Sequence, residues 1–196
     1  MSASPKSTGH PATYADLAAV PPHLVAEILF GSLVTHPRPA PPHGSSATSL
    51  TLELGGPFQK GRGGPGGWIF ILEPELHLGP HVVVPDLAGW RCERLPHMPK
   101  TAFIETPPDW VCEVLSPSTE NVDRGAKRRI YAAYEVLYVW LLDPISRRLE
   151  TYVLRDGQFT LHETFDGADE VKAPPFDAVP FPITALWPLD PAPDQT

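Results

Sequence analysis

Apolar residues in this chain come in short runs cut by proline and glycine, so the pattern predicts short strands and few helices. Thr13 opens a first helix as N-cap, with Asp16 three residues on in a capping-box-like start, and Pro21 ends it. A second amphipathic piece runs from His23, turns at Gly31 and continues as a short strand to Thr35. His43 to Leu54 reads as a helix on small residues or a strand on Thr and Leu, and helix is the expectation. GGPFQKGRGGPGG, which follows, is a loop by composition. WIFIL from Trp68, HVVV from His81 and DWVCEVL from Asp109 are β-branched or aromatic runs bounded by Gly and Pro, as in a buried sheet. From Asp123 to Glu135 an apolar stripe of Ala126, Ile130, Ala133 and Tyr134, extended by Leu137, predicts a crossover helix with Asp123 as N-cap. YVWLL from Tyr138 is a further strand, and RRLETYVLRDGQFTLHETF predicts a hairpin turning at Asp156-Gly157. From Pro174 neither period is visible. The expected organisation is a disordered leader at 1–12, one domain at 13–173 and a Pro-rich tail at 174–196.

Composition narrows the function. The chain has 196 residues, a length for one domain, and 26 prolines that gather between the apolar runs. With 15 basic and 23 acidic residues the net charge is −8, so no general field draws polyanions and any nucleic-acid contact must be local or metal-assisted. Cys92 and Cys112 form no CxxC pair, so neither a disulfide framework nor a zinc cluster is indicated. The N-terminus lacks a signal-peptide apolar core, and no apolar stretch approaches the ~20 residues of a membrane span. These features predict a cytoplasmic protein with no membrane partner.

Three carboxylates fall at or near strand ends: Glu73, Asp86 and Glu113. Carboxylates converging from rigid strands suit a hard divalent cation such as magnesium or manganese, whose remaining positions go to water and phosphate. Strand alternation puts Glu113 on one face with Asp109, Val111 and Leu115, opposite Trp110, Cys112 and Val114. An ionised carboxylate in so apolar a run is costly unless paired or metal-bound. Lys127 lies on the shoulder of the helical stripe, where its long side chain can reach past the sheet end. Arg124 and Tyr131, three residues before and four after, share its side and extend a surface suited to phosphate. His43 is a candidate to orient substrate, while His77 and His81 read as structural because no metal-ligand spacing joins them. Ser116 and Ser118 lack a nucleophile elbow and read as caps, and the glycine loop lacks a phosphate-loop ending and reads as a flap or dimer arm. The bland alternative for Arg124, Lys127, Arg128 and Arg129 is a solvated helix face.

The runs VVVPDLAGWRCERLP, PPDWVCEVLSPSTENVDRGAKRRIYAAY and VWLLDP resemble the Uma-two family, a bacterial group of restriction-endonuclease-like proteins with the PD-(D/E)XK fold. The resemblance implies an α/β (α+β) architecture, a mixed central sheet flanked by helices with a C-terminal hairpin. It implies a catalytic set of Asp86, Glu113 and Lys127, a magnesium or manganese cofactor, nucleic acid (DNA first) as substrate, and a homodimer. It also places Glu73 and His77 next to the site, and matches Glu27 to an acidic residue that nucleases of this fold supply from the first helix. Two departures stand out. Leu115 occupies the usual lysine position two residues after Glu113, so Lys127 must reach it from the helix. Glu135-Val136-Leu137 replaces a Gly-Val-Pro, at a cost of about 1 kcal/mol if the glycine served a left-handed cap. The rival expectation is a binding or assembly module that keeps the fold without turnover, which the net charge of −8 favours.

Overall fold

The computed structural model describes residues 10–187. Helix α1 (Tyr14–Ala18) carries the predicted capping box between Thr13 and Asp16. The piece from His23 is a hairpin of two strands, β1 (Leu24–Leu29) and β2 (Ser32–Pro37), so its amphipathic first half is not helical and Glu27 comes from a strand. Phe30 and Gly31 both take positive φ, 51° and 75°, the turn that matches strand twist. Pairing of β1 with the strand His81–Val83 across the fold completes the override of local pattern. Helix α2 (Pro41–Leu54) is as expected and runs on into a π-helical turn, Gly55–Gln59, that buries Phe58. The remaining glycine loop is not a free flap. The Arg62 and Gly66 amides donate to Gly56 and Pro57 carbonyls at 2.9 Å each, folding it back on that turn.

Six strands form the large sheet: β3 (Trp68–Leu72), β6 (Leu87–Arg91), β7 (Trp110–Val114), β8 (Tyr138–Asp143), β9 (Arg148–Arg155) and β10 (Gln158–Phe165). Their order is β10-β9-β8-β7-β6-β3, with β7 and β8 parallel and the other neighbours antiparallel. A smaller sheet orders β2-β1-β5-β4, using β4 (Leu76–Leu78) and β5 (His81–Val83). The sequence pattern missed β4 and β6, because LHL is too short for a period and LAGWR is interrupted by glycine. The chain leaves the large sheet after β3, enters the small one at β4, and returns from β5 to β6 through Val84-Pro85-Asp86. Glu73 marks the outward bend with φ 45°. This corner between the sheets is where the acidic side chains gather.

The parallel pair β7–β8 requires a crossover. It is built from α3 (Glu120–Val122), a π-helical turn Asp123–Lys127, and α4 (Arg128–Ala133). The helix therefore begins earlier than predicted, with Thr119 at its N-cap, and Asp123 lies buried inside it instead of capping it. At its C-terminus Glu135 holds φ 57°, with the Val136 amide bonded back to the Tyr131 carbonyl at 3.0 Å. That is the left-handed cap at which glycine is normally favoured.

Both faces of the large sheet are covered. On one, α2 and Phe58 pack with Trp68, Trp110, Trp140 and Phe176; on the other, Ile130 and Tyr131 of α4 pack on Val111, Val139 and Leu141. The segment from Pro174, expected to be a tail, is part of this core up to residue 187. It forms β12 (Phe181–Pro182), paired with β11 (Glu170–Val171), and a 3₁₀ turn Ile183–Leu186, and it buries Phe176, Phe181, Ile183 and Leu186. Spaced prolines hide the period because these residues act one at a time as plugs. The predicted leader falls largely outside the described residues. Among the described residues no helix is long and apolar enough to cross a membrane.

Candidate active site

Strand β7 presents Glu113 on the α4 face, as alternation predicts, and the side chain is 1% exposed. Lys127, on the π-helical turn of the crossover, reaches it: Nζ donates to Glu113 Oε2 at 2.9 Å and to the Val84 carbonyl at 3.1 Å. The same ammonium lies 3.3 Å from Glu27 Oε1 and 3.4 Å from Asp123 Oδ1. Tyr131, one helical turn further on, donates to the other oxygen of Glu113 at 2.5 Å. Asp86 follows Pro85 at the corner, and its Oδ2 accepts the Val114 amide at 2.7 Å while Oδ1 faces His43 Nε2 at 3.3 Å. Glu27 is fixed by the Val84 amide at 2.7 Å and meets His36 Nε2 at 3.6 Å. Of these groups Asp86, Glu113, Asp123, Lys127, His36 and His43 line a cavity of about 440 Å³, with Arg38 and the Ser116–Thr119 turn at its rim.

Electrostatics follow from this crowding. Four carboxyl groups, Glu27, Asp86, Glu113 and Asp123, share the neighbourhood of one ammonium. Burial pushes the Glu113 carboxyl well above its usual range, and the neighbouring carboxylates add to the rise against the opposing pull of Lys127. Burial likewise raises Asp123. Burial alone would depress Lys127, but Glu113 and Glu27 outweigh it and hold the ammonium charged. Glu27 moves the other way: burial raises it, yet Lys127, His36 and the Val84 amide together bring it below the ordinary carboxylate value. His36 and His43 are each raised, because Glu27 and Asp86 respectively overcome the effect of burial.

Of the residues singled out from sequence, Asp86, Glu113, Lys127, Glu27, His43 and Tyr131 come together here. Glu73 does not line this cavity. Its side chain is 48% exposed, sits 3.7 Å from Arg38, and borders a neighbouring depression with Asp86 and His43. Arg124 also points elsewhere, donating to Glu120 at 2.8 Å and to both oxygens of Glu150 at 2.7 and 3.0 Å, so it does not extend the Lys127 surface. Its rotation off that surface follows the π-helical turn, which breaks the 3.6-residue period assumed for the helix. His36 and Asp123 were missed. Asp123 precedes Lys127 by four residues, a spacing that could have flagged a helical ion pair. No local signal marks His36, which arrives by strand pairing.

A family model described as "Putative restriction endonuclease", Uma2, matches residues 11–182. The chain belongs to the Uma2 family. Among solved structures, one described as "a putative nuclease belonging to DUF820", from Anabaena variabilis, superposes with a TM-score of 0.73 at 21% identity, covering 90% of this chain and 97% of that one. That likeness establishes a shared fold. No curated protein matches the chain. Asp86, Glu113 and Lys127, the three residues singled out by resemblance, line one cavity.

Among the described residues no three His, Cys, Asp or Glu side chains are gathered as a ready chelate. The chemistry of the donor set nevertheless fits a hard cation: Asp86 and Glu113 are oxygen donors lining the same cavity, and carboxylates outnumber the ammonium. Magnesium is commonly held by one or two carboxylates with water and substrate oxygens completing its shell.

Proposed function

We propose that this chain is a metal-dependent endonuclease that hydrolyses phosphodiester bonds in nucleic acid, DNA before RNA. The observation that carries the reading is the buried Lys127 ammonium, 2.9 Å from Glu113 in the cavity that Asp86 also lines. Asp86 and Glu113 would hold magnesium or manganese, which when bound supplies Lewis acidity toward a phosphoryl oxygen. The chain's own groups do the rest. The Val114 amide and His43 fix the Asp86 carboxylate, and Tyr131 fixes that of Glu113. Lys127, charged and desolvated, is placed to orient an attacking water and to balance charge developing on the phosphoryl group. Glu73 is left out of the metal set by its position, and cutting both strands of a duplex would take two copies, so a homodimer belongs to the reading.

The test is cleavage of plasmid DNA with magnesium or manganese by the parent, Asp86→Ala and Glu113→Ala. Both substitutions should abolish metal-dependent cleavage, and cleavage that persists in the double variant refutes the assignment. One observation favours a second reading, a nuclease-fold binding module. Both Glu113 oxygens are already bonded, by Lys127 and Tyr131, in a chain of net charge −8. Calorimetric titration with either cation separates the two: binding lost in Glu113→Gln supports the enzyme, and absence of carboxylate-dependent binding supports the module.

A further inference from the structure

Four of the 15 basic residues fall within six positions, Arg124, Lys127, Arg128 and Arg129, in a chain that is otherwise acidic. Lys127 is turned inward and Arg124 is neutralised by Glu120 and Glu150. Arg128 and Arg129 remain, and neither is within ion-pair distance of a carboxylate among the described residues. Both are held by aromatic rings. The Arg128 guanidinium lies 4.0 Å from the centre of the Tyr152 ring and 5.9 Å from that of Phe159, and Arg129 sits 5.0 Å over Phe30. A cation–π contact of this kind orders the guanidinium without an ion pair, and its N–H groups can still serve an acceptor. Arg128 Nε is buried and has no acceptor among the described residues.

These arginines border a depression of about 280 Å³ between α4 and the β9–β10 hairpin, with Gly125, Gly157 and Phe159 along its edges. Among the described residues, no atom beyond the local backbone lies within 4 Å of where a side chain would begin at Gly125 or Gly157, so the approach is open. The fork of a guanidinium matches the geometry of phosphate oxygens, and several fixed forks match a row of them. Lys127 and Arg128 are consecutive, their Cα atoms about 3.8 Å apart. Their side chains leave one point of the helix, one into the acidic cavity and one onto this outer face.

We propose that this outer face binds the phosphodiester backbone of the nucleic-acid strand, holding phosphates away from the scissile one. The inference rests on the reading that the substrate is nucleic acid. It also answers how a protein of net charge −8 with an acidic pocket retains a polyanion: the contact is confined to a few preordered arginines.

The experiment is fluorescence anisotropy of a fluorescein-labelled oligonucleotide in buffer without divalent cations, over a series of salt concentrations. Arg128→Gln and Arg129→Gln should each weaken binding several-fold and flatten the dependence of log K on log salt by about 0.7–0.9 per lost phosphate contact. Magnesium or manganese titration of the same variants should match the parent. Unchanged affinity and slope in both variants overturn the proposal. Arg128→Gln removes a stacking contact and can perturb folding, whereas the exposed Arg129 serves as the independent arm. Inorganic phosphate at matched ionic strength should displace the strand no better than chloride. Displacement at micromolar phosphate would show a single-anion pocket and overturn the strand reading. If the parent binds the oligonucleotide through these arginines but cuts nothing with either cation, the enzymatic reading fails and this surface stands. Metal-dependent cleavage with unaltered binding in both variants removes the surface alone.

Discussion

Replacing Lys127 with methionine removes the only ammonium among the described residues within reach of Glu113, Glu27 and Asp123, which it meets at 2.9, 3.3 and 3.4 Å in a site where its side chain is 3% exposed. Methionine keeps most of the volume, so the loss is chiefly electrostatic. Stripping one partner from a buried ion pair costs about 3–5 kcal/mol. For a domain of this length that corresponds to a fall in Tm of about 6 to 20 °C, at about 2–4 °C per kcal/mol. The sign with pH is definite. Folded-state values of Glu113 and Asp123 are already raised by burial, and loss of Lys127 raises them further, since the ammonium is the group that lowers both. A carboxyl raised in the folded state contributes stability that is complete below its unfolded value, about 4. That contribution is lost as pH climbs through the folded value. Lys127 itself is raised, so its contribution in the parent is intact from pH 5 to pH 8 and is lost only above the ordinary lysine range. The full penalty is therefore expected at pH 8, and a smaller one at pH 5, where protons replace the missing charge. Urea or thermal melts of parent and Lys127→Met at the two pH values check this. A variant as stable as the parent at pH 8, or one more strongly destabilised at pH 5, would refute the account of the cluster. The same variant should have lost metal-dependent cleavage at both pH values.

Phe176→Ala removes a ring that lies 4.9 Å from those of Phe58 and Trp68 and 5.2 Å from that of Trp110, and should destabilise by about 3–5 kcal/mol in urea denaturation; a loss under 1 kcal/mol would return residues beyond 173 to the status of a tail. Arg124→Ala should cost about 1 kcal/mol at pH 7, discounted for its 31% side-chain exposure. Because Arg124 holds Glu150 below the ordinary carboxylate range, that contribution is present above the unfolded value and is lost as pH falls through the folded one. Melts at falling pH should show the difference between variant and parent shrinking, and a difference that grows would contradict the pairing.

Local physics was legible along the chain wherever a residue's neighbours in sequence are also its partners in space. Thr13 and Asp16 cap their own helix, Asp156 and Gly157 turn their own hairpin with φ values of 49° and 75°, and alternation along β7 puts Glu113 opposite Trp110, Cys112 and Val114. The cost of an unpaired carboxylate in that apolar strand was enough to mark Glu113, and its partner proved to be Lys127. Residues whose partners lie far along the chain were not legible. Glu27 reaches Lys127 from a strand because β1 pairs with β2 and β5, and His36 comes with it. Glu73 and Asp86 look alike in sequence, yet the bend between the sheets turns one toward Arg38 and the other toward His43 and the Val114 amide. Arg124 and Lys127 share a helix, yet its π-helical turn gives one to Glu150 and the other to Glu113. Sequence alone thus determined which residues could not sit idle where they are, since burial penalties and turn conformations are local. Only the tertiary structure decided which of them meet, because strand pairing and one extra residue in a helical turn act over separations that no sequence period records.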